Sequence, residues 1–278
     1  MASANKRKCI VLSMLGLVSL ASTALANPPS SETFSVRVVG MEDETGTKLP
    51  VTREQVARSI AVTQKRLKAL GFTKPQISEK GTDGFLIRLD GPKPDPSPDI
   101  TTALQKPGKL ELMAVSPRND ELGPEGKSLA QRVQDGSEIV PGYRASTQKS
   151  KDEHGNAFDR PILINRRAAI GNSDIASAVP SPQQPDSLDI TLSEEGKAKM
   201  IALTQNMRPG QDRIAIVLDG EVISAPVVNQ VPLGKQFIIE GFQQPGEVEN
   251  LVNSLMNPLE FPLVIEMEHP VPANQDAK

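Results

Sequence analysis

Apolar residues recur along this chain with two different periods, and the changes of period mark its elements. Phe34–Val39, FSVRVV, alternates as a half-buried strand does. From Val56 the spacing becomes helical. Val56, Ile60, Thr63, Leu67 and Leu70 share one stripe, while Arg53, Arg58, Lys65 and Lys68 belong mostly to other faces. Thr52 and Gln55 form a capping-box pattern ahead of this helix, and Gly71 is placed to close it. Short runs over 76–79 and 85–89, joined through Gly81-Thr-Asp-Gly84, read as two strands. A Pro-rich connector, GPKPDPSPD, leads to a short helix over 100–105 and a strand over 110–115. The order β-α-β-β-α-β predicts a ferredoxin-like base lobe over residues 33–116.

The rhythm stops over 117–159, a stretch rich in Gly, Ser, Asp, Lys and Gln. It predicts an irregular connector, long enough to let two lobes hinge. Apolar patterning returns with strands over 161–164 and 187–192. Ser193 then caps a helix, with Glu194 and Glu195 in its first turn, that runs to about Met207. Next comes RIAIVLDGEVISAP, residues 213–226. It reads as a strand, a two-residue type I′ turn at Asp219-Gly220, and a second strand that Pro226 ends or leaves at an edge. Both faces of the first strand are apolar, so both are expected to be covered. A strand over 237–240, a helix from Pro245 that stops at Asn257-Pro258, and a strand over 261–267 complete a second lobe, 160–268. A polar tail, 269–278, follows. The predicted class is α+β, a ferredoxin-like base lobe followed by an α+β head lobe.

The N-terminus sets the expected compartment. Lys6, Arg7 and Lys8 precede an apolar run from Cys9 to about Leu20, and Ala24-Leu-Ala26 supplies small residues beyond it. This is the pattern of a signal peptide, residues 1–26, cleaved between Ala26 and Asn27. The run is shorter than the roughly 20 residues of a spanning helix. The expected mature chain is therefore exported, periplasmic or extracellular, with no stable membrane insertion. The only cysteine, Cys9, would leave with the leader, and so would three basic residues and no acidic one. The formal charge of −3 then becomes more negative, which argues against a nucleic-acid partner.

Candidate chemistry is sparse. His154 and His269 are the only histidines, each in a polar stretch, and with no mature cysteine neither a metal centre nor a Cys–His pair is predicted. Gly126-Lys127-Ser128 lacks the earlier glycine of a phosphate loop, having Glu121 in its place. Asp186, Asp189, Glu194 and Glu195 cluster locally, as outward strand positions and a helix start suffice to explain. Trp is absent and Tyr143 is the sole Tyr, so a carbohydrate site would lack its aromatic platforms. No catalytic residue, metal or cofactor is predicted, and the chain reads as non-enzymatic.

Three stretches of the second lobe, LDITLSEEGKAKMIALTQN, RIAIVLDGEVISAPVV and FIIEGF, resemble the first periplasmic domain of SecD. Leu218, Asp219, Gly220, Ser224, Ala225, Pro226 and Gly241 carry the resemblance, and on their own they amount to a turn and strand ends. ILINRRAAIGNSDIASAVPS is similar to the start of that domain's head lobe. TQKRLKALGFTKPQISEKGTDGFLIRLDG and KLELMAV are similar to its base lobe. The departures are the lack of an Asp-Leu-x-Gly-Gly run before the first strand and the segment Asn257-Pro-Leu-Glu-Phe-Pro262. With no membrane helix read beyond the leader, the expectation is a freestanding secreted relative. The resemblance implies that the chain binds polypeptide or an envelope protein, Sec translocon components among them, outside the cytoplasmic membrane. The alternative is an adaptor with one dedicated folded partner and no role in export. The strand edge Pro226–Leu233, with Val228 and Val231, is the candidate place for an extended chain to add on.

Overall fold

The computed structural model describes residues 31–268 apart from 44, 92–93, 95–98, 152–155, 185, 241 and 243–245. The leader with Ala26 and Asn27, both histidines, Gly241 and the polar tail therefore lie outside the described residues. In chain order the elements are β1 (Ser31–Val38), α1 (Arg53–Ala69), β2 (Gln76–Lys80), β3 (Gly84–Asp90), α2 (Ile100–Gln105), β4 (Leu110–Ala114), α3 (Leu129–Gln134), β5 (Tyr143–Lys151) and β6 (Ala157–Asn165). They continue with β7 (Ile175–Pro180), β8 (Ser187–Leu192), α4 (Glu194–Thr204), β9 (Ile214–Leu218), β10 (Glu221–Ser224), β11 (Gln236–Glu240), α5 (Glu247–Met256) and β12 (Leu263–Glu268).

Local chemistry fixes α1 at both ends. Thr52 Oγ1 accepts from the Gln55 amide at 3.3 Å, and Gln55 Oε1 accepts from the Thr52 amide at 2.8 Å. At the other end the Gly71 amide donates to Lys68 O and the Phe72 amide to Leu67 O. This is a Schellman closure, and it places Gly71 at φ 93°, where a glycine is needed.

The base sheet has the order β12-β1-β3-β2 with every neighbour antiparallel. This is the ferredoxin-like arrangement, but its fourth strand is β12 and not the strand over 110–115. Val36 and Val38 of β1 face Ile265 and Leu263 of β12. These four join Phe34, Phe85 and Ile87 in a core closed by Val56 and Leu67 of α1 and Ile100 and Leu104 of α2. β4 instead pairs with β9 in a five-stranded head sheet, β4-β9-β10-β5-β6. The head is thus inserted between α2 and the last base strand.

The stretch 117–159, expected to be irregular, holds α3 and β5. Ser128 of the Gly-Lys-Ser run caps α3 through a second capping box, and Lys127 pairs with Asp135 at 2.9 Å. α3 is too short to show a period. Arg144–Gln148 of β5 are half-buried whichever way they point, so no alternation marks that strand. The five-stranded sheet curls until its edge strands meet, with Val115 bridging Ile164 and the Ser116 amide donating to Leu163 O at 2.8 Å. Met113, Val115, Ile162, Ile164, Ala215, Val217 and Val222 fill its inside. Its outer face carries Leu110, Leu112, Ile214 and Ile216. These pack with Leu188, Ile190 and Leu192 of the sheet β11-β8-β7, Met200 of α4, and Val248, Leu251 and Leu255 of α5. β9 is accordingly covered on both faces, as its run of apolar residues predicts.

The chain passes between lobes at two short places, outward through Lys106–Lys109 and back just after α5. Arg66 of α1 is fully buried at the meeting of both. Its Nε donates to Asn257 O at 2.8 Å, NH1 to Lys106 O at 2.6 Å and Ala103 O at 3.2 Å, and NH2 to Pro107 O at 3.1 Å and Ser254 O at 3.5 Å. Asn253 Nδ2 returns a bond to Arg66 O at 3.0 Å. Burial pulls this guanidinium down to about 10, with the Asp219 charge opposing the shift, so Arg66 is protonated at neutral pH. Arg66→Met leaves several buried carbonyls without a donor and is expected to cost about 3–5 kcal/mol, read as a lowered urea midpoint at unchanged slope.

Candidate functional site

Among the described residues, those that carry the family resemblance fall at the two ends of β10. At the first, Leu218 ends β9 and Asp219 and Gly220 turn into β10 with φ of 52° and 89°. Both are positive, as a type I′ turn requires. A non-glycine residue in that region is uncommon, and Asp is among the residues that tolerate it. Asp219 also has a long-range partner: its Oδ1 accepts from the Lys109 amide at 2.7 Å, and its own amide donates to Lys109 O at 2.8 Å. The turn therefore grips the first residue of the chain's entry into the head. Asn172 holds the residues on either side. Its Oδ1 accepts from the Leu110 amide at 3.0 Å, while Nδ2 donates to Gly108 O at 2.8 Å and to Leu255 O at 3.1 Å.

The second place lies at the end of β10. Ser224, Ala225 and Pro226 lead into 226–233, where Ile214, Pro226, Val227, Val228, Asn229 and Leu233 line an apolar hollow of about 330 Å³. The expected strand edge is only partly available. The Ile214 amide donates to Pro226 O, and Val228 uses its amide on Asp212 O and its carbonyl on Gly210 N. The Val228 side chain is 4% exposed and belongs to the head core, and Val231 packs against the same core. Val227, which the sequence did not single out, is 42% exposed and offers the apolar surface.

The acidic residues do not assemble into a centre. Glu194 is held below the usual carboxylate range by its bond to Lys235 at 2.6 Å, and among the described residues no three His, Cys, Asp or Glu side chains group as a metal site. No helix among the described residues is long and apolar enough to cross a membrane.

Residues 146–257 match the family model of the SecDF P1 head subdomain. Over that span the chain is similar to a SecDF P1 head subdomain. The matched span begins inside β5, within the stretch expected to be a connector, and takes in the barrel strands from there on, the β7–β8–β11 sheet and α5. The SecD translocase subunit of Magnetococcus marinus is 26% identical over 228 residues, covering 81% of this chain and 41% of the relative. The SecDF translocase subunit of Thermus thermophilus is 26% identical over 257 residues, covering 89% of this chain and 33% of the relative. The chain thus spans less than half the length of these two relatives. A crystal structure of SecDF in a super-membrane-facing form superposes with a TM-score of 0.58 at 20% identity, over 86% of this chain and 30% of that one. A further structure, of SecDF described as a membrane component that enhances protein export, gives 0.56 at 21% identity, over 86% of this chain and 100% of that one. The likeness to these structures is one of fold, with base and head both included.

Two pairs of substitutions separate the roles of these residues. Val228→Asp buries a carboxylate in the head core and is expected to cost at least about 3 kcal/mol in urea unfolding, whereas Val227→Asp costs less than about 1 kcal/mol. Asp219→Val puts a β-branched residue at positive φ and removes the Lys109 bond, a loss of about 2 kcal/mol, while Asp219→Asn keeps most of that stability.

Proposed function

We propose that this chain binds exported polypeptide outside the cytoplasmic membrane, as a non-enzymatic accessory to protein translocation. The observation that carries this reading is the match of residues 146–257 to the SecDF P1 head subdomain. Relatives that share both lobes are protein translocase subunits, and one SecDF is described as enhancing protein export. The leader pattern of residues 1–26 supports an exported location.

The apolar hollow at 226–233 is where we place the contact. Its half-exposed Val227 and the flanking Pro226 present apolar surface without a charged side chain in the lining, which suits an apolar side chain of an extended segment. Binding of this kind is weak and tolerant of sequence, because a small apolar hollow discriminates between side chains by only about 1–3 kcal/mol.

A photo-reactive residue at position 227, activated in living cells, tests the proposal. The expected products are many different exported chains together with Sec translocon components, with the yield falling several-fold when Pro226 and Leu233 are replaced by Ser. Capture of one folded envelope protein and no exported chains would make the chain a dedicated adaptor and overturn this reading.

A further inference from the structure

The sheet β11-β8-β7 has two edges, and they are built differently. β7 slips its register against β8 between Ile175 and Ser177 and ends on Pro180, two devices that keep another strand from adding there. β11, QFIIE, runs in unbroken register with β8 and contains no Lys, Pro or Gly. The ladder shows which of its groups face outward. The Leu192 amide donates to Lys235 O, a pair that continues the β8–β11 register. Bonded pairs alternate along an antiparallel ladder, so Phe237 and Ile239 turn their main-chain groups to β8, while Gln236, Ile238 and Glu240 turn theirs away from it. Among the described residues no turn or loop supplies those three with a main-chain partner. Ile238 is also 50% exposed.

We infer that β11 is a dimer interface, pairing antiparallel with β11 of a second copy about a two-fold axis at Ile238. In that register the strand is complementary to itself. Ile238 faces its own counterpart, Phe237 faces Ile239, and Gln236 faces Glu240, so an amide meets a carboxylate and no like charges stand opposed. This register alone gives each outward N–H and C=O of Gln236, Ile238 and Glu240 a partner within the second β11. The two three-stranded sheets become one continuous sheet. Asp189, which neighbours Ile238 on β8, then lies three strand spacings from its counterpart, roughly 14 Å, beyond the reach of unscreened repulsion at physiological salt. The pairing is short, so the dimer is weak and its population depends on concentration. The inference does not depend on what the hollow at 226–233 binds.

Sedimentation velocity of the full chain carrying Cys9→Ser, over a concentration series, is expected to show a reversible monomer–dimer equilibrium. Ile238→Pro removes an outward N–H and leaves the β8 ladder intact, and it should weaken the dimer about a hundredfold. Ile238→Lys keeps the backbone as it is, sets like charges across the axis and should act in the same direction. Under mild oxidation Ile238→Cys is expected to link two copies, because the opposed residues of a bonded pair have Cα atoms about 5.5 Å apart, within disulfide reach. Val179→Cys, exposed on the opposite edge of the sheet, should not link. A monomer at every concentration overturns the inference and leaves the edge to some other extended chain. So does a dimer that Ile238→Pro and Ile238→Lys leave intact, or one that links through position 179. Should the proline variant fail to fold by circular dichroism, the lysine variant decides.

Discussion

A guanidinium taken out of water needs donors' worth of acceptors in return, and at Arg66 the acceptors are main-chain carbonyls rather than a carboxylate. This choice has structural reach. A carboxylate partner would have tied α1 to one side chain. Carbonyls from the end of α2, from the outward crossing and from the last turn of α5 tie it to three separate parts of the backbone. These carbonyls sit at helix ends, where C=O groups lack intrahelical donors, so one cation answers a deficit that two helices create. The ferredoxin-like base and the inserted head are assembled around that exchange.

Much of the fold is legible in the residues. Thr52, Gln55 and Gly71 delimit α1, Asp219-Gly220 dictates a tight hairpin, and the alternation of Leu188, Ile190 and Leu192 marks a strand with one buried face. These signals are local, and local physics decides them. The identity of the fourth base strand is not local. β4 and β12 have equally strand-like sequences, and only the pairing of Val36 and Val38 with residues more than two hundred positions away separates them. β5 escaped notice because its barrel position leaves side chains half-covered on either side, which erases the two-residue period.

The site shows the same division. The strand-edge reading pointed to 226–233, a segment that lines the apolar hollow, and named Val228, whose side chain is buried, where Val227 is the half-exposed one. Two adjacent valines look alike in a sequence, and which one faces the core depends on the register of Pro226 and Val228 against 210–214. Arg66 was harder still, because arginines on a helix are usually solvated and the four other basic residues of α1 are. The available clue was phase. Arg66 lies seven residues after Ser59 and three after Thr63, on the stripe that Val56 and Leu67 also occupy, and all five are buried.

The insertion of the head within the base also orders events during synthesis. Every strand of the head lies between Leu110 and Glu240, so its sheets have all their strands once that stretch has emerged. The base waits longer. Its sheet lacks β12, and Arg66 lacks the acceptors at Ser254 and Asn257, until nearly the whole of the described chain is present. Pairings of such sequence separation are slow to form, because a long loop has to close before any bond rewards it. The N-terminal part of the base therefore emerges first and is completed last. An early-made edge of apolar strand waits for a late-made partner, and in that interval it is the part of this protein most exposed to pairing with the wrong chain.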